Sequence, residues 1–512
     1  MAQIARRKNA VKGTISGILM KTYQLILPFI MRTIVIYTLG IEFVGLNSLF
    51  TSILQVLSLS ELGVGSALVF SMYKPIVDDD ENKICALMNL YKLYYGIIGG
   101  VILVVGIAII PALPYLVDSD IPTGVNIYYL YILTLIPTVL SYWLFAYRKS
   151  VISAHQRNDV DNIISAIYTT ILFIFQLIAL LVFQNYYLYL IGTLISVILK
   201  NIIIYFVSKK IFPFYNPIGK IDKDERKKIN KQVLDIFTSK IGGTITNSAD
   251  SIVISSFLGL VTLGIYQNYY YIIYAVIGFF NIFYAATTAG IGNSILVESK
   301  EKNFKDFLVI SYIISFLISI CVSCFGALFQ PFITLWVGEE YLLDYKCVLL
   351  FCLYFYVYEL AMPWAMYKDA SGLWHKDKWR PLVGSLVNLG LNLILVQFIG
   401  IYGILLSTII SYLFISMPWL LHNLFKYLFK KGRKQYIIKL SLYFLCTLVS
   451  FCLVIFISDF INLNIWWTII LRLAVSLSIP LVIFLLAFWR TNERKESWNL
   501  IKKICKERKN GK

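Results

Sequence analysis

Charged residues are scarce in this chain of 512 residues. Asp, Glu, Lys and Arg make up 14% of it, whereas hydrophobic residues make up 59%, and the mean hydropathy is +0.74. Soluble globular chains carry about 25% charged residues. The scarcity therefore excludes an ordinary water-soluble enzyme and indicates a protein that lies within a membrane.

Motifs and loops that would support catalysis are also missing. No GxxxxGK[ST] phosphate-binding loop occurs, so the chain does not hydrolyse ATP by that route. The largest predicted outside loop runs only from about residue 330 to 345, which is short for a polytopic glycosyltransferase or polysaccharide polymerase. We therefore expect no enzymatic activity, and any transport must use an ion gradient, the membrane potential or a downhill substrate.

Metal-ligating residues do not form a convincing site. The acidic run from Asp78 to Glu81 lies beside Lys74 and Lys83 in a predicted connection. A metal site needs ligands that converge from more than one element. A solvated loop is the better interpretation, so we expect no resident metal and no cofactor, with coupling to H⁺ or Na⁺ left open.

Long apolar runs are what the sequence does contain. Runs of about 18 residues or more predict transmembrane helices. Fourteen are predicted, at 13–39, 43–72, 86–116, 126–147, 161–183, 186–208, 233–258, 266–290, 306–329, 346–366, 381–399, 402–424, 436–458 and 465–489. The predicted fold class is an all-α polytopic membrane protein with 14 transmembrane helices.

Basic residues outnumber acidic ones, 46 to 28, which gives a formal net charge of +18. In a soluble protein this surplus would suggest a nucleic-acid partner. Here the basic residues gather in alternate connections, and the prediction places only Lys346 outside. The positive-inside rule then puts both termini in the cytoplasm, so the charge reflects topology and we expect no nucleic-acid partner.

A short pattern repeats at an offset of 219 residues. The matched pairs are Leu39 with Leu258, Gly40 with Gly259, and Gly45 with Gly264. Spans one and two thus correspond to spans seven and eight, which predicts two pseudo-symmetric six-helix bundles of the same orientation. The predicted division is an N-terminal bundle at 1–208, a basic cytoplasmic linker at 209–232, a C-terminal bundle at 233–424, and two extra spans with a basic cytoplasmic tail at 425–512.

Polar and cationic side chains occur inside the predicted spans. An ionisable residue at a helix centre costs about 2.5–3.5 kcal/mol on insertion scales, so it normally faces a cavity or a partner. Helical spacing puts Lys21, Gln24 and Arg32 on one face of span one, and Lys240 and Asn247 on one face of span seven. The surplus of positive charge favours an anionic ligand, and these five residues are the predicted substrate-binding set.

Three carboxylates are the predicted coupling groups or counter-ions. Glu61 lies on a polar stripe of span two, Asp250 at the edge of the polar face of span seven, and Glu359 four residues before Pro363 in span ten. Two structural interpretations stay open. The cations and acids could form a salt-bridge network that only holds helices together, and Glu359 could serve a helix kink.

Two stretches of the sequence resemble a known family. Residues 28–73 read PFIMRTIVIYTLGIEFVGLNSLFTSILQVLSLSELGVGSALVFSMY, and residues 249–270 read ADSIVISSFLGLVTLGIYQNYY. The first closely resembles the start of the Wzx-type polysaccharide, or O-antigen, repeat-unit flippases of the multidrug/oligosaccharidyl-lipid/polysaccharide exporter (MOP) superfamily. The second resembles the segment that opens the second half of those proteins.

The resemblance implies two six-helix bundles that alternate between inward-open and outward-open states. The implied cargo is an undecaprenyl-diphosphate-linked oligosaccharide that moves from the inner to the outer leaflet of a bacterial plasma membrane for capsule or exopolysaccharide export. The implied diphosphate contacts are Lys21, Arg32 and Lys240. A polysaccharide polymerase and other assembly proteins are the expected partners, besides membrane lipids.

Other functions remain open from the sequence. A lipid II-type flippase is the nearest alternative. A multidrug/cation antiporter of the same superfamily would favour an acidic or apolar cavity, which the cationic surplus argues against. A membrane scaffold for polysaccharide assembly would not need cations on repeat-related faces.

Overall fold

A computed structural model describes residues 22–23, 26–117, 121–122 and 124–509 of the chain. All regular secondary structure in these residues is helical. The helices of the first part are α1 (Ile26–Thr38), α2 (Ile41–Leu57), α3 (Val64–Val77), α4 (Glu81–Ile109), α5 (Ile127–Trp143), α6 (Ala146–Ala154), α7 (Asn158–Leu181), α8 (Tyr186–Ile211) and α9 (Lys223–Val297).

The chain continues with ten further helices. They are α10 (Lys300–Trp336), α11 (Tyr345–Leu360), α12 (Met362–Ala370), α13 (Trp374–Asp377), α14 (Arg380–Ile399), α15 (Ile401–Ser411), α16 (Met417–Asn423), α17 (Arg433–Asp459), α18 (Ile465–Ala487) and α19 (Asn492–Lys509). Single π-helical turns, Tyr412–Ser416 and Leu424–Phe429, flank α16 and extend it into one apolar segment with α15.

Within the described ranges, eleven helical segments are long and apolar enough to cross a membrane. The bent pair α5 and α6, with a 55° bend, makes a twelfth if it is one span. The predicted class, an all-α polytopic membrane protein, is confirmed, whereas the number fourteen remains a prediction. Predicted span one corresponds in the described residues to the short helix α1. Predicted spans seven and eight lie in one apolar segment, Lys240–Val297, whose helix is broken at Gly259.

Asparagine side chains fix the start of several apolar helices. The Asn126 side-chain oxygen accepts hydrogen bonds from the backbone N–H groups of Tyr128 and Tyr129, at 2.9 and 3.3 Å, and Asn185 accepts from Leu188 at 3.1 Å. The first N–H groups of a helix have no partner within the helix. An Asn directly before an apolar run satisfies them and sets the boundary of the span.

The chain divides into two compact units, residues 1–264 and 265–512. Helix α9 belongs to the first unit up to Gly264 and to the second from Ile265. The first unit therefore includes predicted span seven, which the sequence assigned to the C-terminal bundle. The finer predicted division, with a linker at 209–232, stays a prediction.

In the first unit, glycines let helices pack closely. A side chain at Gly106 would overlap Leu135, and one at Gly192 would overlap Phe175, so α4 lies tightly on α5 and α8 on α7. Small residues at such positions are how helices approach each other where lipid removes the hydrophobic driving force.

The second unit is built around α10. This helix packs against α11, α17 and α18, and much of its apolar stretch is buried. Aromatic side chains fill the space between them: Tyr312 of α10 contacts Tyr443 of α17 and Phe484 of α18. The large rings account for the tight association of the two C-terminal spans with the unit.

The sequence repeat is also a repeat of backbone structure. Gly40 separates α1 from α2 with φ 111° and ψ 165°, and Gly259 interrupts α9 with φ 83° and ψ 170°. Residues with a side chain rarely adopt these angles. The same glycine conformation thus recurs 219 residues later, at the position where the sequence repeat predicts it.

Candidate functional site

Arg32 lies in the middle of the apolar helix α1, where it is half-buried. Its guanidinium is close enough to the Tyr189 phenol of α8 to interact with it electrostatically. Tyr189 stacks on Tyr186 with ring centroids 5.4 Å apart. Thr193, one helical turn after Tyr189 in α8, accepts a hydrogen bond of 3.2 Å from the buried Gln176 of α7. The predicted cation therefore lies beside aromatic and amide groups.

The polar face of α9 is only partly accessible. Lys240 and Asn247 are exposed, Asp250 is half-buried and Ser251 is buried. The neighbouring Ser248 hydroxyl is 3.2 Å from the side-chain oxygen of Gln55 in α2, so this side of α9 packs on α2. Of these residues, the two predicted to bind substrate, Lys240 and Asn247, are the accessible ones.

Glu61 lies at a break between two helices. It ends the 3-10 turn Ser58–Glu61 that separates α2 from α3, and Gly63 directly after it has φ 93°. A side chain at Gly63 would overlap the Val233 carbonyl and Ile236 of α9. The break therefore lies against α9 one turn before Lys240, which brings the chain segments of Glu61 and Lys240 close together.

Three tyrosines surround the Glu61 carboxylate. Tyr95 donates a hydrogen bond to Glu61 at 2.7 Å, Tyr91 stacks on Tyr95 with ring centroids 4.1 Å apart, and the ring of Tyr142 lies 5.5 Å from that of Tyr95. We refer to Tyr91, Tyr95 and Tyr142 as the tyrosine cluster. Sequence reasoning missed it, although the spacing of Tyr91 and Tyr95 puts them on one face of α4.

Glu359 belongs to the second unit. Its side chain in α11 is 3% exposed, and Cys321 and Tyr358 lie within electrostatic range. No ion pair in the described part of the chain includes it. A carboxylate is rarely buried in such surroundings, and the role of Glu359 as coupling group, counter-ion or kink residue stays a prediction.

Two members of the predicted binding set, Lys21 and Gln24, lie outside the described residues. Their place beside Arg32 therefore remains a prediction. Of the other six predicted residues, the first unit contains Arg32, Glu61, Lys240, Asn247 and Asp250, and the second contains Glu359.

A buried ion network in the second unit was also missed. Arg380 binds Asp377 through two hydrogen bonds of 2.8 and 2.9 Å, and Lys368 lies 3.5 Å from the same carboxylate and 2.8 Å from Asp369. Tyr284 of α9 donates a hydrogen bond to Asp369. The sequence does contain a cluster of charged residues at 368–380 that could have indicated this network. In the sequence alone, however, such a cluster usually indicates a solvated loop.

The described side chains form no group of three or more His, Cys, Asp or Glu residues that could hold a metal ion. What the first unit offers instead is a cation on α1 with aromatic and amide side chains beside it, a cation on α9, and a carboxylate held by tyrosines. Such groups bind anions and hydrogen-bonding polar ligands.

Residues 10–288 match the model of a protein family described as polysaccharide biosynthesis protein. The chain belongs to this family. The match covers more than half of the sequence and includes α1 to α8, so it contains every predicted site residue except Glu359. The resemblance is thus confirmed at the level of a polysaccharide biosynthesis family.

Solved structures of the MOP superfamily share the fold of this family member. A multidrug resistance MATE transporter in an inward-facing conformation is 16% identical, with a TM-score of 0.61 over 78% of this chain and 94% of that one. The lipid II flippase MurJ in an inward closed conformation is 15% identical, with a TM-score of 0.61 over 93% of this chain and 99% of that one. A search of curated protein sequences gave no significant match.

The coverage by MurJ includes the C-terminal part of this family member as well as its core. At these identities the likeness concerns the fold. It agrees with the predicted all-α, multi-pass membrane fold.

Proposed function

We propose that this protein is a flippase for undecaprenyl-diphosphate-linked oligosaccharide repeat units. It moves them from the inner to the outer leaflet of the bacterial plasma membrane by alternating access. The family match to polysaccharide biosynthesis supports the cargo class, and the fold of a lipid II flippase supports the mode of transport. No catalytic step is part of the proposal.

The observation that carries the proposal is the Arg32 guanidinium in the middle of an apolar helix. A charge within an apolar membrane helix is costly, so it is retained where it meets a polar ligand or a partner. An anionic diphosphate faces the same cost in hydrocarbon. Arg32, Lys240 and Lys21 would lower that cost by binding the diphosphate, while Gln24 and Asn247 supply hydrogen bonds.

The sugar part of the cargo suits the surroundings of Arg32. Tyr189 is partly exposed and offers a ring beside Arg32, while the buried Tyr186 and Gln176 contact Tyr189 from behind. Sugars bind to rings through their C–H faces and to amides through their hydroxyls. The polyprenyl chain needs no such groups because it can stay in lipid.

Coupling is assigned to the three carboxylates. Glu61, with the tyrosine cluster, and Glu359, buried in the second unit, are the proposed protonation sites, and Asp250 is the proposed counter-ion on α9. The driving ion is H⁺ in this proposal, with Na⁺ as the alternative. The chain has its termini in the cytoplasm and works beside a polysaccharide polymerase and other assembly proteins.

The experiment is a deletion strain complemented with variants of the gene. Undecaprenyl-linked sugars are measured by mass spectrometry of lipid extracts, and surface polysaccharide is measured in parallel. We expect Arg32→Ala and Lys240→Ala to accumulate lipid-linked repeat units and to lose surface polymer. Arg433→Ala, which removes an exposed cation at the start of α17, is the matched control and should behave as wild type.

Membrane levels of each variant are measured by immunoblot, so that loss of protein is separated from loss of transport. Arg32→Lys, which keeps the charge but loses the planar fork, should restore part of the activity. If all three single variants, Lys21→Ala, Arg32→Ala and Lys240→Ala, made normal surface polymer, the proposed cationic binding site would be wrong.

A lipid II flippase is the second candidate, because MurJ covers nearly the whole chain. Both cargoes share the diphosphate and the polyprenyl tail, so the same cations would serve. The mass of the lipid that accumulates in the deletion strain decides between them. A peptide-bearing lipid would favour the second candidate, and a purely carbohydrate one the first.

A further inference from the structure

The second unit contains a cavity of about 1140 Å³. It lies between the last turns of α9, the first half of α10, the end of α18 and the start of α19. Small-molecule sites typically enclose 300–1,000 Å³. A ligand that fills this cavity is therefore larger than most metabolites.

The body of the cavity is apolar. Phe283 and Ile291 of α9, Ile313 and Phe316 of α10, and Leu481 of α18 are among the residues that line it. These side chains offer no hydrogen bond, so the part of the ligand that they surround must be hydrocarbon.

One end of the cavity carries two cations and two carboxylates. They are Lys302, Asp306, Arg494 and Glu496. Lys302 and Asp306 form an ion pair of 2.7 Å whose side chains are 50% and 31% exposed, so this end opens to solvent. We call these four residues the charged mouth.

Tryptophans mark the same end as an interface between water and lipid. The Arg494 guanidinium lies 4.2 Å from the ring centroid of Trp489 and donates a hydrogen bond to its carbonyl at 3.0 Å. Trp489 and Trp498, which both line the cavity, are more than half exposed. Exposed Trp beside basic residues is typical of the membrane interface.

Helix α19 holds the mouth in place. Its buried Glu493 binds Lys439 of α17 at 2.7 Å, which docks the helix on the unit. Arg494 and Glu496 are therefore held at the mouth, where Glu496 lies within electrostatic range of Lys302.

We propose that this cavity binds one zwitterionic glycerophospholipid. The two acyl chains occupy the apolar body, the phosphate lies against Arg494 and Lys302, and the ammonium lies against Glu496 and Asp306. Because two carboxylates balance two cations, the mouth does not favour a ligand with net negative charge. The site is thus chemically distinct from the proposed diphosphate site, and it does not depend on the identity of the transported cargo.

The test is native mass spectrometry of the full chain in mild detergent. The protein is equilibrated with equal amounts of phosphatidylethanolamine and phosphatidylglycerol, and the retained lipids are counted. We expect one tightly retained phosphatidylethanolamine. Preference for phosphatidylglycerol, no retained lipid, or a retained polyprenyl lipid carried through purification would each overturn the proposal.

A cavity-filling variant locates the site. Gly290 lines the cavity, and a side chain there would meet no atom within 4 Å, so Gly290→Leu occupies the space of the ligand without a clash. It should lose most of the retained lipid. Gly390→Leu makes the same change at an exposed position of α14 with equally open surroundings and should retain lipid as wild type does. Equal retention in both variants would contradict the location.

A charge variant tests the headgroup without altering the apolar body. Asp306→Asn with Glu496→Gln leaves two unbalanced cations at the mouth, so the preference should change from phosphatidylethanolamine to phosphatidylglycerol. Glu301→Gln removes an exposed acid of α10 outside the cavity lining and should leave the preference unchanged. An unaltered preference in the double variant would refute the assigned headgroup contacts.

Discussion

Gly45 lies directly against the backbone carbonyl of Leu260, and its repeat partner Gly264 lies in the same way against the carbonyl of Ile41. Ile41 and Leu260 are themselves 219 residues apart, so the two contacts are equivalent under the repeat. Helices α2 and α9 thus cross at a pair of glycines, each of which packs against the backbone of the other helix. This reciprocity gives the internal repeat a direct structural role.

The first prediction concerns this crossing. A methyl group at Gly45 would overlap the Leu260 oxygen, and one at Gly264 would lie 2.5 Å from the Ile41 oxygen. Since backbone atoms cannot move aside as a side chain can, we expect Gly45→Ala and Gly264→Ala each to lower the free energy of unfolding by about 1–3 kcal/mol. Thermal unfolding of the purified protein in detergent measures this.

The control for the crossing is Gly100→Ala in α4, where an added methyl would meet no atom within 4 Å. This variant should be unchanged or slightly more stable, because Ala favours a helix by roughly 0.5–1 kcal/mol over Gly. If Gly45→Ala were as stable as Gly100→Ala, the close approach of α2 and α9 would be wrong.

Much of this crossing could be predicted from the sequence. Only glycine adopts the backbone angles of Gly40 and Gly259 easily. Glycines at equivalent positions of the sequence repeat therefore predicted equivalent backbone conformations. The apolar runs revealed the spans for the same kind of reason, since hydrocarbon accepts little else. The backbone break at Gly259 lies within a continuous apolar segment, however, so hydropathy alone could not locate it.

The candidate site was less accessible to sequence reasoning. Composition singled out Glu61 because a carboxylate in a span is rare, and it suggested a cation as the partner. Among the described residues, the side chain that donates a hydrogen bond to Glu61 is Tyr95, which lies 34 positions later in the sequence. With 36 tyrosines in the chain, no pattern distinguishes the ones that meet a carboxylate from those that face lipid.

The second prediction tests the tyrosine cluster. Tyr95→Phe removes the hydrogen bond to Glu61 and leaves the carboxylate without its donor, which should cost about 1–3 kcal/mol of stability. If Glu61 takes part in coupling, the variant should also transport less cargo in the complementation assay. Tyr131→Phe is the matched control, since the Tyr131 hydroxyl is buried without a hydrogen-bond partner in the described part of the chain.

Tyr131→Phe should be neutral or slightly stabilising in the same unfolding assay, because it removes a buried polar atom that gains nothing in the fold. Equal stability of Tyr95→Phe and Tyr131→Phe would contradict the 2.7 Å hydrogen bond to Glu61.

The third prediction concerns the buried ion network. Asp377→Asn leaves Arg380 and Lys368 without the carboxylate that both contact, and removal of one partner from a buried pair costs about 3–5 kcal/mol. The pair of Glu225 and Lys83 is more exposed, so Glu225→Gln should cost less than about 1 kcal/mol. If the unfolding midpoints of the two variants differed little, the network would contribute nothing to stability.

The last prediction concerns pH and His155, which lies between α6 and α7 outside the apolar spans. Its ring packs 4.2 Å from that of Phe212, and its Nδ1 donates to the Val151 carbonyl at 2.9 Å. Burial lowers the pKa of His155 below its ordinary value of 6.5. Below pH 6.5 the unfolded chain therefore takes up a proton at this residue more readily than the folded chain, and stability falls as the pH decreases.

We expect the wild-type unfolding temperature to fall more between pH 7.5 and 5.5 than that of His155→Gln, which has no proton to gain. Other titrating groups contribute equally to both proteins, so the difference between the two curves isolates His155. His155→Gln also keeps a hydrogen-bond donor for Val151, which limits the loss of stability at pH 7.5. Parallel curves for the two proteins would mean that His155 is no more buried than in the unfolded chain.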